Sequence, residues 1–268
     1  MAKYLMSFIG TGNMGGTIAQ VAASGTDPRR VLLADRATQK AAELAAALGC
    51  DAADNETAAR ESQYIFLGVK PHLMAGMLAS IAPVLAARSD RFVLVSMAAA
   101  LTIQNIRDMA GGEYPVVRIN PNTPMAVGRG LVMYCEKDVR AEELSELWGT
   151  LQSGGVFRPL DESLIDAGSA LSGCGPAFTY LFIEALADGG VECGLPREVA
   201  LEYAAETVAG AAEMVLRSGR HPGALKDAVC SPGGSTIAGV HALEKNGLRA
   251  AAMDAVVAAF QKSKTMGK

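Results

Sequence analysis

The chain has 268 residues, half of them hydrophobic and 19% charged, with a formal net charge of −4. That composition excludes disorder and supplies enough chain for a large core, with two domains expected. A mildly acidic balance without a basic stripe also argues against nucleic-acid binding. The five cysteines, Cys50, Cys135, Cys174, Cys193 and Cys230, are scattered without C-x-x-C spacing, so they read as reduced thiols of a cytoplasmic protein. His72, His221 and His241 lie far apart, and no metal is expected. No charged segment leads into an apolar core at the start of the chain. The longest uncharged stretch, between Asp166 and Glu184, is interrupted by Gly173, Gly175 and Pro176, so no membrane span is expected.

Apolar runs alternate with helical patterns from the start: KYLMSFIG, then a helix from Met14; RRVLLAD, then TQKAAELAAALG; QYIFLGV, then LMAGMLASIAPVLAA. Fully apolar strands alternating with helices predict a parallel sheet covered on both faces. RFVLVSM, YPVVRIN, GLVMYC and GVFRPL continue the strands, with LTIQNIRDMAG and AEELSELWGTLQSG as helices between them. These elements make an α/β, doubly wound, Rossmann-type domain over residues 1–159. Beyond Asp161 the strand runs vanish and long Ala-rich segments follow, so residues 160–268 read as an all-helical domain. Pro196 suits a first helical position and Gly219 a helix end. The helices there are apolar around much of their circumference, and about a hundred residues cannot hide that surface alone, so a homodimer through this domain is expected.

IGTGNMGG sets Gly10, Gly12 and Gly15 in G-x-G-x-x-G spacing between a strand and a helix, with a second strand ending in Asp35. Such glycines give a tight turn, close backbone approach to a pyrophosphate and helix–strand packing, so a dinucleotide is expected. Asp35 suits a ribose hydroxyl of NAD, whereas the adjacent Arg36 suits a 2′-phosphate, and the balance favours NADPH with NADH as the alternative. Val69, Lys70 and Pro71 end the third of these apolar strands, and SMAAALT and INPNTP also follow strands. All three therefore fall at the carboxyl edge, where open α/β sheets bind their ligands. Near the end of the chain, CSPGGSTIAGVHALE gathers Ser231, Gly233, Gly234, Ser235 and Thr236 around one proline. One reading is a helix cap in which Ser and Thr satisfy free amides; the other is a cradle for a small anion.

In this order FIGTGNMGG, LGVKP, NPNTP, LSGCGPAF and HPGALKDAVCSPGGSTIAGVHALE resemble the pyrroline-5-carboxylate reductases across nearly the whole chain, the last motif most specifically. The resemblance implies reduction of the cyclic imine 1-pyrroline-5-carboxylate to L-proline by NADPH or NADH, and a dimer through the C-terminal helices, often assembled into a decamer. It also implies a substrate site at Ser231, Gly233, Gly234, Ser235, Thr236 and Asn120. There the loop amides hold the carboxylate and the Thr236 hydroxyl reaches the ring nitrogen as the catalytic contact. The cofactor set is Gly10, Gly12, Asn13, Met14, Asp35, Arg36, Asn55, Val69, Lys70, Pro71 and Ala98. Cys174 and Phe178 stand where the family often has Ser and Tyr, while Gly175 and Pro176 keep the helix start.

A protonated imine is already electrophilic, so such a site needs orientation more than acid–base groups. Two rival readings remain at this level. A 3-hydroxyacid dehydrogenase would place a lysine in the first interdomain helix, but residues 161–184 contain none. A non-catalytic NADP sensor would bind the nucleotide without turning over the imine.

Overall fold

Side chains along the central strands alternate between two apolar layers, as the continuous apolar runs require. The computed structural model describes residues 2–266; the outermost ends of the two expected domains, residues 1 and 267–268, lie outside them. Eight strands, β1 (Tyr4–Ile9), β2 (Val31–Ala34), β3 (Asp51–Ala52), β4 (Ser62–Leu67), β5 (Val93–Ser96), β6 (Val116–Asn120), β7 (Gly130–Lys137) and β8 (Gly155–Pro159), form one sheet. Their spatial order is β3-β2-β1-β4-β5-β6-β7-β8. Helices α1 (Asn13–Gly25), α2 (Thr38–Leu48), α3 (Asn55–Glu61), α4 (Pro71–Ala86), α5 (Ile103–Ala110) and α6 (Ala141–Leu151) cover it.

Phe8, Phe66, Val95 and Ile119 pack with Ile18 of α1 and Leu147 of α6, forming one layer. Ile65, Leu67 and Leu94 pack with Leu78 of α4 and Ile106 of α5, forming the other. Burial on both faces is what βαβ crossovers produce. Every strand and helix named from the apolar pattern in this half is present. Two elements lack such a pattern and were not foreseen: the two-residue β3, and α3, whose sequence NETAARE has no apolar stripe. The sheet also departs from a wholly parallel one, because β7 runs antiparallel to β6. Between them lies only a tight connection containing the 3-10 turn Thr123–Val127, where a parallel pairing would need a longer crossover.

The chain divides into two compact units, each described by itself. The first runs to Gly173 and includes the residues from Phe260 on; the second is Cys174–Ala259. Pro159, the expected boundary, is where the sheet ends. The first unit extends beyond it because helix α7 (Ile165–Ser172) is tied to the sheet at both ends: Asp166 pairs with Arg118 of β6, and the Ser172 carbonyl accepts from the Asn122 carboxamide.

The helical part contains α8 (Gly175–Glu192), α9 (Arg197–Ser218), α10 (Pro222–Ala228), α11 (Ser235–Lys245) and α12 (Leu248–Met266), the last reaching into the first unit's residues. Gly175 and Pro176 open α8 as expected, and Gly219 ends α9 in a left-handed conformation at φ 61°. Pro196 is the residue before α9 instead of its first residue. Small residues let α8 and α9 approach, with Ala187, Ala200 and Ala204 forming the buried centre. Much apolar surface stays uncovered within one chain: Tyr180 is 58% exposed, Leu181 68% and Leu216 76%. By length and composition the helical run Glu162–Glu192 is apolar enough to cross a membrane, yet it breaks near Gly173 into α7 and α8.

Candidate functional site

The first candidate centre lies where the strand order reverses, between β1 and β4. Gly10 leaves β1 at φ 102°, and a β-carbon there would stand 2.7 Å from the Gly68 carbonyl carbon after β4. Only glycine permits both the left-handed turn and the contact. A side chain at Gly15 would strike the Gly10 carbonyl, so α1 starts close against the strand end. Gly12 differs. It is the cap residue of α1, no side chain caps that helix, and a β-carbon on Gly12 would meet nothing within 4 Å. The opening amides of α1, at Asn13 and Met14, therefore face open space with the positive end of the helix dipole behind them. That cradle fits a dinucleotide pyrophosphate.

Asp35, at the end of β2, is committed to this loop. One carboxylate oxygen accepts from the Thr11 amide at 2.7 Å and the Thr11 hydroxyl at 3.0 Å, while the other accepts from the Ala37 amide at 2.9 Å. Partial burial acts to raise its pKa, but the amides of Ala37 and Thr11 and the Thr11 hydroxyl more than offset this, holding the carboxyl below its usual range. Arg36 is exposed, and among the described residues it has no ion-pair partner. The two neighbours thus have different roles: Asp35 holds the turn, and Arg36 presents a charge.

The other cofactor-side candidates line the carboxyl ends of successive strands. Asn55 opens α3 after β3, half-buried, next to Asp54, whose carboxylate caps that helix through the Thr57 amide at 2.7 Å. Val69 packs on the α4 layer, Lys70 is exposed at the cap position of α4, and Pro71 is the first residue of that helix. Ala98 is buried in the loop after β5. Asn120 ends β6, and its carboxamide has no hydrogen-bond partner among the described residues. The sheet therefore aligns Gly10, Asp35, Val69, Ala98 and Asn120 along one edge. Asn122 is structural, holding the Leu131 amide at 2.9 Å and the Ser172 carbonyl at 3.1 Å.

Ser231–Thr236 lies in the helical unit. Gly233 turns the chain at φ 69°, and the Gly234 amide donates to the Ser231 carbonyl at 3.0 Å. Gly234 is the cap residue of α11 and no side chain caps the helix, so the reading in which Ser and Thr satisfy its amides is not what the structure forms. Small residues keep the α11 start open, and Ser235 and Thr236 occupy its first two positions, both exposed. Residue types and motif order did not single out the buried Arg118 and its half-buried ion-pair partner Glu162 in the first unit. The one sign of it was a charge inside the apolar strand VVRIN.

Comparison with known proteins agrees with both halves. Residues 162–266 match the family described as pyrroline-5-carboxylate reductase dimerisation, and residues 6–100 match that described as NADP oxidoreductase coenzyme F420-dependent. The exposed apolar helices, including the run Glu162–Glu192, thus belong to a subunit-pairing region. Pyrroline-5-carboxylate reductase of Pisum sativum is 40% identical over 98% of this chain and 96% of its own. A Plasmodium falciparum pyrroline carboxylate reductase solved with NADP bound superposes with a TM-score of 0.87 at 34% identity, covering all of both chains. The pyrroline-5-carboxylate reductase of Coxiella burnetii gives 0.88 at 29%, covering 99% of each. With the nucleotide cradle, the pairing helices and full-length identity in agreement, the chain belongs to the pyrroline-5-carboxylate reductase family.

Proposed function

We propose that the chain reduces 1-pyrroline-5-carboxylate to L-proline with NADPH, using the amides of α1 and Arg36 for the nucleotide, with the Ser231–Thr236 turn and, separately, Asn120 as substrate contacts. The observation that carries the cofactor choice is the division between Asp35, whose oxygens are engaged by Thr11 and Ala37, and the unpaired Arg36. A ribose diol meets a carboxylate already taking three hydrogen bonds from Thr11 and Ala37, whereas a 2′-phosphate meets an unengaged guanidinium.

When bound, the reduced nicotinamide supplies the hydride that the imine carbon accepts. Gly12, Asn13 and Met14 hold the pyrophosphate on the helix dipole, and Asn55, Val69, Lys70, Pro71 and Ala98 border the nucleotide along the strand ends. The uncapped amides of α11 hold the substrate carboxylate. Thr236 donates its hydroxyl to the ring nitrogen, where the lone pair develops as the imine is reduced, and water can resupply that proton. No strong base is required, since the protonated imine is electrophilic before hydride arrives.

The active form is a homodimer through the helical region, and the same reading extends to a decamer built from five such dimers in the cytoplasm. Mixing the protein with pyrroline-5-carboxylate and either NADPH or NADH tests the function: the nicotinamide absorbance should fall as proline forms, faster with NADPH at low cofactor. Nucleotide binding without proline formation would leave a sensor instead.

A further inference from the structure

Arg118 sits in the middle of β6 opposite Ser96 of β5, with its side chain only 5% exposed. A buried guanidinium must be paired. One nitrogen lies 3.3 Å from Glu162 Oε1 and another 3.3 Å from Asp166 Oδ1. Glu162 Oε1 also accepts from the Ile103 amide at 2.8 Å, the first amide of α5. One cation therefore joins three segments: β6, the start of α5, and the turn leading into α7.

Two of these segments carry candidate contacts. The loop 97–102 runs from β5 to α5 and contains Ala98; within it Ala100 is left-handed at φ 63°. A residue with a β-carbon in that region is strained, and such strain persists only where the surroundings over-determine the loop. The loop is held at one end by the Ser96 hydroxyl, which accepts from the Ala98 amide at 3.4 Å, and at the other by Glu162 on Ile103. On β6, Asn120 lies two residues beyond Arg118 and so shares its face.

We propose that Arg118 is a positioning residue for the reduction: by bridging Glu162 and Asp166 it sets the strained 97–102 loop and the strand end at Asn120 in the arrangement the reaction uses. The inference rests on the proposed roles of Ala98 and Asn120. Of the proposed nucleotide contacts only Ala98 lies in this loop, while the cradle at Gly10–Met14 and Arg36 shares no bond with the network, so turnover should fall much further than cofactor affinity.

Two conservative variants test it in the full-length protein. Glu162→Gln keeps the shape and an oxygen for Ile103 but removes the charge facing Arg118. Arg118→Lys keeps the charge but cannot span two carboxylates. Each should lower kcat for imine reduction by about tenfold, as small misplacements of reacting groups do, while KM for NADPH stays within about twofold and Glu162→Gln melts near the wild type. Arg118→Met, which removes the charge altogether, should fall below Arg118→Lys. Folded Glu162→Gln and Arg118→Lys proteins with wild-type kcat would overturn the inference, as would activity lost only in proportion to the unfolded fraction. A wild-type chain that binds NADPH but never reduces the imine would overturn the functional reading, and this inference with it.

Discussion

Thr11 and Asp35 are joined twice, through the Thr11 amide at 2.7 Å and its hydroxyl at 3.0 Å, both to the same carboxylate oxygen. That pair fixes the glycine turn against the end of β2 and, with the Ala37 amide on the other oxygen, occupies three of the carboxylate's roughly four acceptor sites. The charge offered to a nucleotide at this strand end is then Arg36.

Arg36→Ala should raise KM for NADPH about ten- to a hundredfold, the equivalent of losing a charged hydrogen bond of about 1.5–3 kcal/mol. KM for NADH should barely change. Steady-state kinetics with both cofactors checks the ratio; parallel changes would mean that Arg36 does not read the phosphate.

Asp35→Ala should weaken NADPH and NADH alike, because it loosens the turn that both use; a ribose-reading Asp35 would penalise NADH through its diol and spare NADPH, whose 2′ oxygen carries phosphate, without disturbing stability. The loss of its amide bonds should also cost about 1 kcal/mol of stability at neutral pH. Because the folded pKa is depressed, this carboxylate's contribution is complete above the unfolded value near 4 and is lost as pH falls through the lower folded value. Denaturant melts should therefore show the wild type and Asp35→Asn converging below about pH 4. A stability gap that persists into stronger acid would contradict the assignment.

Gly10→Ala and Gly12→Ala should separate folding from binding. At Gly10 the added methyl meets the Gly68 carbonyl in a left-handed backbone, so stability should fall by about 2 kcal/mol or more. At Gly12 it meets no protein atom, so the melting temperature should hold while NADPH affinity drops as the methyl enters the pyrophosphate path. Calorimetry of both variants with and without nucleotide reads the difference.

Leu181→Glu places a charge on a residue 68% exposed in the single chain. It should leave helix α8 folded yet shift the protein toward monomer, with activity falling as the dimer dissociates on dilution. Light scattering across a concentration series checks it, and a fully active monomer would remove the pairing role of this face.

Thr236→Val keeps the branched shape and removes the hydroxyl, so kcat/KM should fall about ten- to a hundredfold, roughly 1–3 kcal/mol of transition-state stabilisation. NADPH affinity should hold, and Thr236→Ser should recover much of the loss. Because no side chain caps α11, the melting temperature should change little. A Val variant that melts early but turns over normally would make Thr236 purely structural.

Local pattern alone determined the larger elements of this protein. The apolar runs at Tyr4–Ile9, Ser62–Leu67 and Val93–Ser96 could only be strands buried on both faces, and Gly10, Gly12 and Gly15 announced a nucleotide turn because their spacing encodes the backbone's needs directly. The exposed apolar helices after Asp161 likewise signalled pairing, since a single chain could not cover them. Other features came only with tertiary structure. Residues 97–120 distant in sequence from 162–166 meet on Arg118, and no local periodicity records a long-range ion pair. The antiparallel turn of β7 depended on a short connection, and α3 had too few apolar residues to declare a face. The different surroundings of Asp35 and Arg36 were also hidden: both residue types suit a nucleotide, and only the folded position of Thr11, which donates twice to one carboxylate oxygen, shows Asp35 tied into the glycine turn while Arg36 stays exposed.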